Sequence, residues 1–154
     1  MNMRVHMLHC AAGCLACLLA AAPGNAEPVS ADQAAIFVAA GFTAAADGHY
    51  RRCEEEIPMA SSMPGQIRFE DLNGDGVAEA WVTESSLFCY GNTGQYFVLL
   101  AEDQGTWQRV LESAGIPGVL ESGNQGWPDI EVGGPGFAKS PVYRWNGQVY
   151  AQRN

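Results

Sequence analysis

The chain has 154 residues, of which 17 are acidic and 8 are basic, so its formal net charge is −9. An acidic surface repels the phosphates of nucleic acids and of anionic lipids, so we expect neither as a partner. It is compatible with divalent cations or with a basic protein partner. The length corresponds to one domain.

The first 26 residues have the features of a signal peptide. Arg4 provides a positive start, residues 11–22 are apolar, and the run ends in small residues up to Ala26. We therefore predict a signal peptide at 1–26, cleaved near Ala26, and a single periplasmic or secreted β-rich domain over 27–154. The apolar run is too short for a membrane span, and no other segment is long enough.

A helix is predicted directly after this leader. Ser30 and Gln33 have the spacing of a capping box, in which the first side chain caps the helix and the second reaches back to it. Apolar residues then recur at Ile36, Phe37 and Ala40, which predicts one buried stripe. Gly41 is a suitable C-terminal stop.

Two cysteines, Cys53 and Cys89, remain once the leader is removed. In an oxidising compartment we expect them to form a disulfide. The alternative is a reactive thiol pair, but Cys-x-x-Cys spacing is lacking.

The segment 71–82 carries the most specific chemical pattern in the chain. Oxygen-bearing side chains occupy its positions 1, 3, 5 and 9, and Gly76 at position 6 permits a sharp turn. Alternating oxygen ligands on a tight loop are how proteins bind Ca²⁺. Val82 stands where a helical calcium loop has its bidentate Glu. The predicted calcium ligands are Asp71, Asn73, Asp75, the Val77 carbonyl and Glu79. The alternative is a metal-free β-turn over residues 73–76.

Strand patterns dominate the rest of the chain. Alternation or apolar runs predict strands at 66–70, 80–84, 87–90, 96–100 and 107–111, and the run at 96–100, apolar on both faces, predicts a central strand. Asn146-Gly147 predicts a hairpin with a two-residue type I′ turn that pairs Tyr143 with Tyr150. We therefore predict an α+β fold: an N-terminal helix packed on a small antiparallel β-sheet (a β-meander), with one disulfide and one structural calcium.

Residues 76–82 and 126–132 share a weak repeat, which aligns Glu79 with Asp129. The second copy lacks the upstream acids, so it predicts a metal-free turn. Chance is the alternative explanation of the match.

The 71–82 segment resembles the calcium loops of FG-GAP and VCBS-type β-repeats. That resemblance implies the five ligands named above, but the chain is too short for the propellers in which such repeats occur. More broadly, the loop that begins at Asp71 and residues 39–42, 89–94, 126–130, 133–136 and 144–147 resemble those of small secreted proteins of Gram-negative bacteria. This second resemblance implies a periplasmic location and no particular activity.

Catalytic patterns are sparse. His49 is the only histidine outside the leader, and no nucleophile turn is present for it to serve. We predict a calcium-stabilised binding module for a periplasmic protein or a cell-envelope ligand; the alternative is a small hydrolase with an Asp/Glu pair. Trp127, Asn92 and Asp129 are the predicted binding surface, with Trp127 as an aromatic anchor.

Overall fold

A computed structural model describes residues 30–56 and 61–153. The predicted signal peptide lies outside these residues. Half of the described residues are in strands. The elements, in chain order, are α1 (Ala31–Ala39), β1 (Thr43–Ala44), β2 (Tyr50–Arg51), β3 (Met63–Glu70), β4 (Glu79–Ser85), α2 (Leu87–Tyr90), a 3₁₀ turn (Gly91–Thr93), β5 (Gln95–Asp103), β6 (Thr106–Ala114), β7 (Ile116–Asn124), β8 (Trp127–Gly133), β9 (Val142–Trp145) and β10 (Tyr150–Gln152).

The strands form three antiparallel sheets rather than the single small sheet that the sequence predicted. The first four-stranded sheet has the order β3-β4-β5-β6, the second has the order β10-β9-β8-β7, and β1 pairs with β2. Neighbours in each four-stranded sheet are also neighbours in sequence, so each is a meander by itself, whereas the prediction was a single meander. The predicted α+β class holds only coarsely, because the described chain is mostly β-sheet and α1 begins at Ala31 rather than at the N-terminus. None of the helices in the described ranges is both long and apolar enough to cross a membrane.

The first sheet is covered on both faces, which gives the molecule three layers. Toward α1 it presents alternate residues such as Val82, Val98 and Leu100, which pack with Ile36 and Phe37 of the helix. The intervening residues point the opposite way, as alternation in a strand requires. Two separate cores therefore share one sheet.

The second core lies between the two four-stranded sheets. Trp81, Phe97 and Leu99 from the first sheet pack there with Ile130 and Val132 from the second. Strand β5 is buried continuously from residue 96 to 100 and lies between β4 and β6. The predicted central strand is thus confirmed, because only a strand flanked by neighbours and covered on both sides can be apolar on both faces.

Helix α1 begins and ends as predicted. The Ser30 hydroxyl accepts a hydrogen bond from the Gln33 N–H at 3.2 Å, and the Gln33 side chain accepts one from the Ser30 N–H. Gly41 follows the helix with a φ of 83°, and the Phe42 N–H donates back to the Phe37 carbonyl. This reversal returns Phe42 to the core, where it is 2% exposed.

The β9–β10 hairpin differs from the prediction. Trp145 pairs with Tyr150 and Tyr143 with Gln152, so the connection has four residues rather than two. The Asn146 side-chain oxygen accepts hydrogen bonds from the N–H groups of Gln148 and Val149, which closes the longer turn. The two-residue turns with positive φ occur instead at Gln104-Gly105 and Gln125-Gly126.

Residues 87–90 form the short helix α2 rather than the predicted strand. The Ser86 hydroxyl accepts hydrogen bonds from the N–H groups of Phe88 and Cys89, both at 3.2 Å. The chain therefore turns into a capped helix after β4 instead of continuing as a strand. The cap satisfies two N–H groups that a strand would have to pair with a neighbouring strand.

The predicted disulfide joins Cys53 to Cys89, which are 36 residues apart in sequence. It links the segment after β2 to α2. We expect replacement of both cysteines by serine to lower the free energy of unfolding by about 2–4 kcal/mol, because the unfolded chain regains the freedom of the opened loop. Urea denaturation of the oxidised protein measures this loss, and reduction of the wild type should reproduce it. An unchanged denaturation midpoint would contradict the prediction.

Candidate functional site

Four connections meet at one end of the sandwich, which we call the turn pole. It comprises residues 71–78, 104–105, 125–126 and 146–149. A methyl group placed on Gly126 would lie 3.6 Å from the Asn73 carbonyl oxygen, and one on Gly147 would lie 3.5 Å from the Gln125 side-chain oxygen. The predicted calcium loop therefore touches the turn that precedes Trp127, although about fifty residues separate them in sequence.

The loop 71–78 is closed by its own side chains. The Asp71 carboxylate accepts hydrogen bonds from the N–H groups of Gly74 at 2.8 Å and Gly76 at 3.1 Å. The Asn73 side chain accepts one from the Asp75 N–H, and the Asp75 side chain accepts one from the Val77 N–H. The side chains of Asp71, Asn73 and Asp75, three of the predicted ligands, thus accept hydrogen bonds from the backbone of their own loop, as in Asx turns.

Glu79 closes the same loop from inside the protein. It is 2% exposed, and its carboxylate accepts hydrogen bonds from the Leu72 N–H at 2.8 Å and the Asn73 amide at 3.4 Å. Burial raises the pKa of Glu79, and the nearby charges of Asp75 and Asp71 raise it further. No guanidinium or ammonium group pairs with it in the part of the chain that the structure describes.

The donor set of the loop is chemically suited to a hard cation. Its three carboxylates, one amide and one peptide carbonyl all offer oxygen, which Ca²⁺ prefers. Val82, at the position of the missing bidentate ligand, is fully buried in the core. Among residues 30–56 and 61–153, no three His, Cys, Asp or Glu side chains are gathered as a metal-binding group. The loop is thus held by hydrogen bonds, and calcium binding stays a prediction.

A groove of about 640 Å³ opens at the turn pole between the two four-stranded sheets. Its aromatic side is Trp127, half-buried, and Trp145, 9% exposed, whose rings stack 4.4 Å apart between centroids. Tyr150 lies edge-on to both rings. The size is within the range of about 300–1,000 Å³ that is usual for ligand sites.

Polar groups surround these rings. Glu102, Asp103 and Gln108 contribute from the β5–β6 hairpin, and Gln148 contributes from the β9–β10 turn. Trp127 also lines a smaller cleft, together with Leu72 of the predicted calcium loop. The predicted anchor Trp127 therefore belongs both to the groove and to a cleft that reaches the loop.

Asp129 is not a surface residue, contrary to the prediction. It is fully buried, and Arg144 donates two hydrogen bonds to it, at 2.8 Å and 2.7 Å. Arg153 and Ser122 also donate to it, at 3.1 Å and 2.7 Å. Those bonds, Arg144 above all, lower the pKa of Asp129 to about 2. Asp129 thus joins β7, β9 and the end of β10.

Asn92 lies at the opposite end of the sandwich. A methyl group on Gly136 would lie 3.8 Å from the Asn92 Cβ, and one on Gly134 would lie 3.5 Å from the Thr93 Cγ2. These loops lie at the opposite end of strand β8 from Trp127. With seven residues, β8 is about 20 Å long. The three predicted surface residues are therefore not brought together: Trp127 is at the turn pole, Asn92 is at the other end and Asp129 is inside.

Glu84 is a buried carboxylate that the sequence interpretation missed. It is 3% exposed and accepts hydrogen bonds from the N–H groups of Arg52 and Cys53, each at 3.0 Å, and from the Tyr90 hydroxyl. Burial raises the pKa of Tyr90, and the hydrogen bond to Glu84 raises it further. Alternate residues of a strand lie on the same face of a sheet. Glu84 therefore lies on the helix side with Ala80 and Val82, and this alternation was the sequence signal for its position.

Glu55, in an acidic run over residues 54–56, is also bonded within the fold. Glu55 accepts hydrogen bonds from the hydroxyls of Ser62 at 2.8 Å and Ser86 at 3.1 Å. It therefore links this segment to the start of β3 and to the cap of α2.

No family model, curated protein or solved structure matches the chain.

The Asp129 network predicts a specific loss of stability in acid. A carboxylate whose folded pKa is about 2 stabilises the fold fully above its ordinary pKa of about 3.9, and loses this contribution as the pH falls from about 4 to about 2. We expect Asp129→Asn to lower the free energy of unfolding by about 1.5–3 kcal/mol at pH 7 and to flatten the pH dependence in that window.

Chemical denaturation at a series of pH values measures both effects. Glu131→Gln is the matched control, because Glu131 is exposed on the same strand and makes no ion pair with another described residue. Equal acid slopes for Asp129→Asn and the wild type would contradict the assignment.

Proposed function

We propose that this protein is an extracytoplasmic, calcium-stabilised binding module whose ligand docks in the groove beside Trp127. The observation that carries the proposal is the groove of about 640 Å³ at the turn pole, with a half-buried, stacked Trp127 on its wall. Aromatic anchors in partly desolvated pockets supply much of the binding free energy at protein interfaces. The periplasmic location rests on the predicted signal peptide.

Calcium enters the proposal as a structural ion of the loop 71–79. Asp71, Asp75 and Glu79 concentrate three negative charges in one short loop, and Glu79 carries its charge out of water. A bound cation offsets both the mutual repulsion and the desolvation of a carboxylate. Asp71, Asn73, Asp75, the Val77 carbonyl and Glu79 would hold the ion.

The position of the loop supports a link between calcium and the groove. Glu79 accepts the hydrogen bond of the Leu72 N–H, and Leu72 lines the smaller cleft together with Trp127. A cation that fixes Glu79 and its neighbours would therefore also fix the support of the aromatic anchor. In this proposal calcium does not touch the ligand; it stiffens the wall against which the ligand packs.

The hydrolase alternative gains no specific support. The fully buried Asp129 is held by two guanidinium groups and Ser122, and Glu84 is held by two backbone N–H groups and the Tyr90 hydroxyl. These carboxylates are engaged in holding the fold together. We therefore propose binding rather than catalysis.

We expect the melting temperature to rise by several degrees when calcium replaces chelator. Binding to the native state alone adds about 1.4 kcal/mol at a calcium concentration about tenfold above Kd. Asp75→Asn and Glu79→Gln should each reduce the rise, whereas Glu131→Gln should leave it unchanged, because Glu131 is remote in sequence from the loop and exposed on β8. Thermal unfolding followed by circular dichroism measures the shifts.

Magnesium at matched ionic strength separates calcium binding from general screening of the acidic surface. An equal rise with magnesium, or equal rises in all four proteins, would show that the loop is only a hydrogen-bonded turn.

The binding function is tested by capture of partners from a Gram-negative periplasmic extract. We expect capture to be lost in Trp127→Ala and in Val149→Arg, which places a large side chain at the groove rim where Val149 is 42% exposed. Phe88→Ala is the matched control, since Phe88 is 71% exposed on α2, at the far end of β4 from the calcium loop. Loss in Phe88→Ala with retention in both groove variants would refute the groove as the binding surface.

A further inference from the structure

We infer that the groove at the turn pole recognises a cationic side chain, arginine or lysine, on a peptide segment of a partner. This inference rests on the proposed function, because it names the ligand class of the same groove. It does not depend on calcium. Three features carry it: the charge of the groove, its aromatic wall and the neutralisation of its one cation.

The lining charges are unbalanced. Asp103 lies on the same face of β5 as Leu99 and Ala101, is exposed at the groove and forms no ion pair with another described residue. Arg109 is the basic residue among the described lining, but its Nε–H donates to the Ala39 carbonyl at 2.7 Å and its Nη1 lies 3.7 Å from Glu112. Its guanidinium is thus directed to α1 and Glu112, and the Asp103 carboxylate keeps no counter-charge among the described residues.

The aromatic wall suits the same ligand. Indole is the best ring for cation–π attraction, and Trp127, half-buried and backed by the stacked ring of Trp145, lines the same groove as Asp103. Gln108 and Gln148 add side-chain carbonyls that accept N–H donors. Arginine stacks on aromatic faces and donates to carboxylates in a fixed fork, so it satisfies both features at once.

The whole surface favours the same charge. The chain has a formal net charge of −9, so a basic segment is drawn toward it before contact. A neutral saccharide would also stack on indole, but it would leave the Asp103 carboxylate without a counter-charge. The charge balance therefore selects a cationic segment over a neutral ligand.

The test uses the full mature protein and a blocked peptide, Ac-Ala-Arg-Ala-Arg-Ala-amide, with the citrulline peptide of the same shape as its neutral control. Tryptophan indole N–H signals in two-dimensional NMR report binding, and Trp81, which is 1% exposed and donates to Glu70, is the internal reference. We expect the arginine peptide to shift the Trp127 signal and not that of Trp81. The citrulline peptide should bind at least about tenfold more weakly.

Variants locate the charge. Asp103→Asn should weaken binding of the arginine peptide about two- to fivefold, as expected for a partly exposed pair, and high salt should weaken it further. Glu131→Gln, which removes an exposed acid of the second sheet, should change the affinity less than twofold. Trp127→Phe should retain part of the affinity, because a ring remains.

Each contrary result has a distinct meaning. Equal binding of the arginine and citrulline peptides would overturn the cationic class while leaving the groove as a binding surface. A shift of Trp127 by a chitooligosaccharide but not by the arginine peptide would overturn it in favour of a sugar. Equal losses in Asp103→Asn and Glu131→Gln would overturn it in favour of a diffuse surface charge. The capture experiment with Trp127→Ala decides the proposed function independently of these outcomes.

Discussion

Burial of both faces of the first sheet is the constraint on which the rest of the molecule depends. Strands β4 and β5 send alternate side chains to α1 and to the second sheet, so one sheet supports two apolar cores. Polar groups at the margins of such a sheet must find partners inside the protein, because unpaired burial is costly. Among the described residues that are not exposed, every buried side-chain nitrogen or oxygen has a hydrogen-bond partner.

Three buried carboxylates meet this requirement in different ways. Asp129 has two guanidinium partners and a pKa lowered to about 2. Glu84 is held by backbone N–H groups and a tyrosine hydroxyl, and it anchors the segment beside the disulfide. Glu79 has two N–H donors and, within the described ranges, no cationic partner, and its pKa is raised. That contrast is why we propose a cation at Glu79 and not at Asp129.

The binding site that we propose lies at the ends of the strands rather than in either core. At the turn pole, the predicted calcium loop, the Gln125-Gly126 turn and the β9–β10 turn lie close together, and Trp127 lines both the groove and the cleft beside the loop. A rigid scaffold with chemistry on its loops is a common arrangement for binding proteins. The groove requires residues from both sheets, so its existence depends on how the sheets pack.

The sequence by itself determined the features that short-range chemistry controls. The capping box and the glycine stop of α1, the central position of β5, and the pairing of the two available cysteines all follow from neighbours in sequence or from residue counts. Tertiary structure decided the register of the last hairpin, the burial of Asp129 and the meeting of residue 73 with residue 126. A two-residue shift leaves the inward and outward faces of a strand unchanged, so alternation could not distinguish the predicted hairpin from the observed one. Likewise, the guanidinium groups that hold Asp129 inside come from β9 and the end of the chain, and only packing of the second sheet brings them to it.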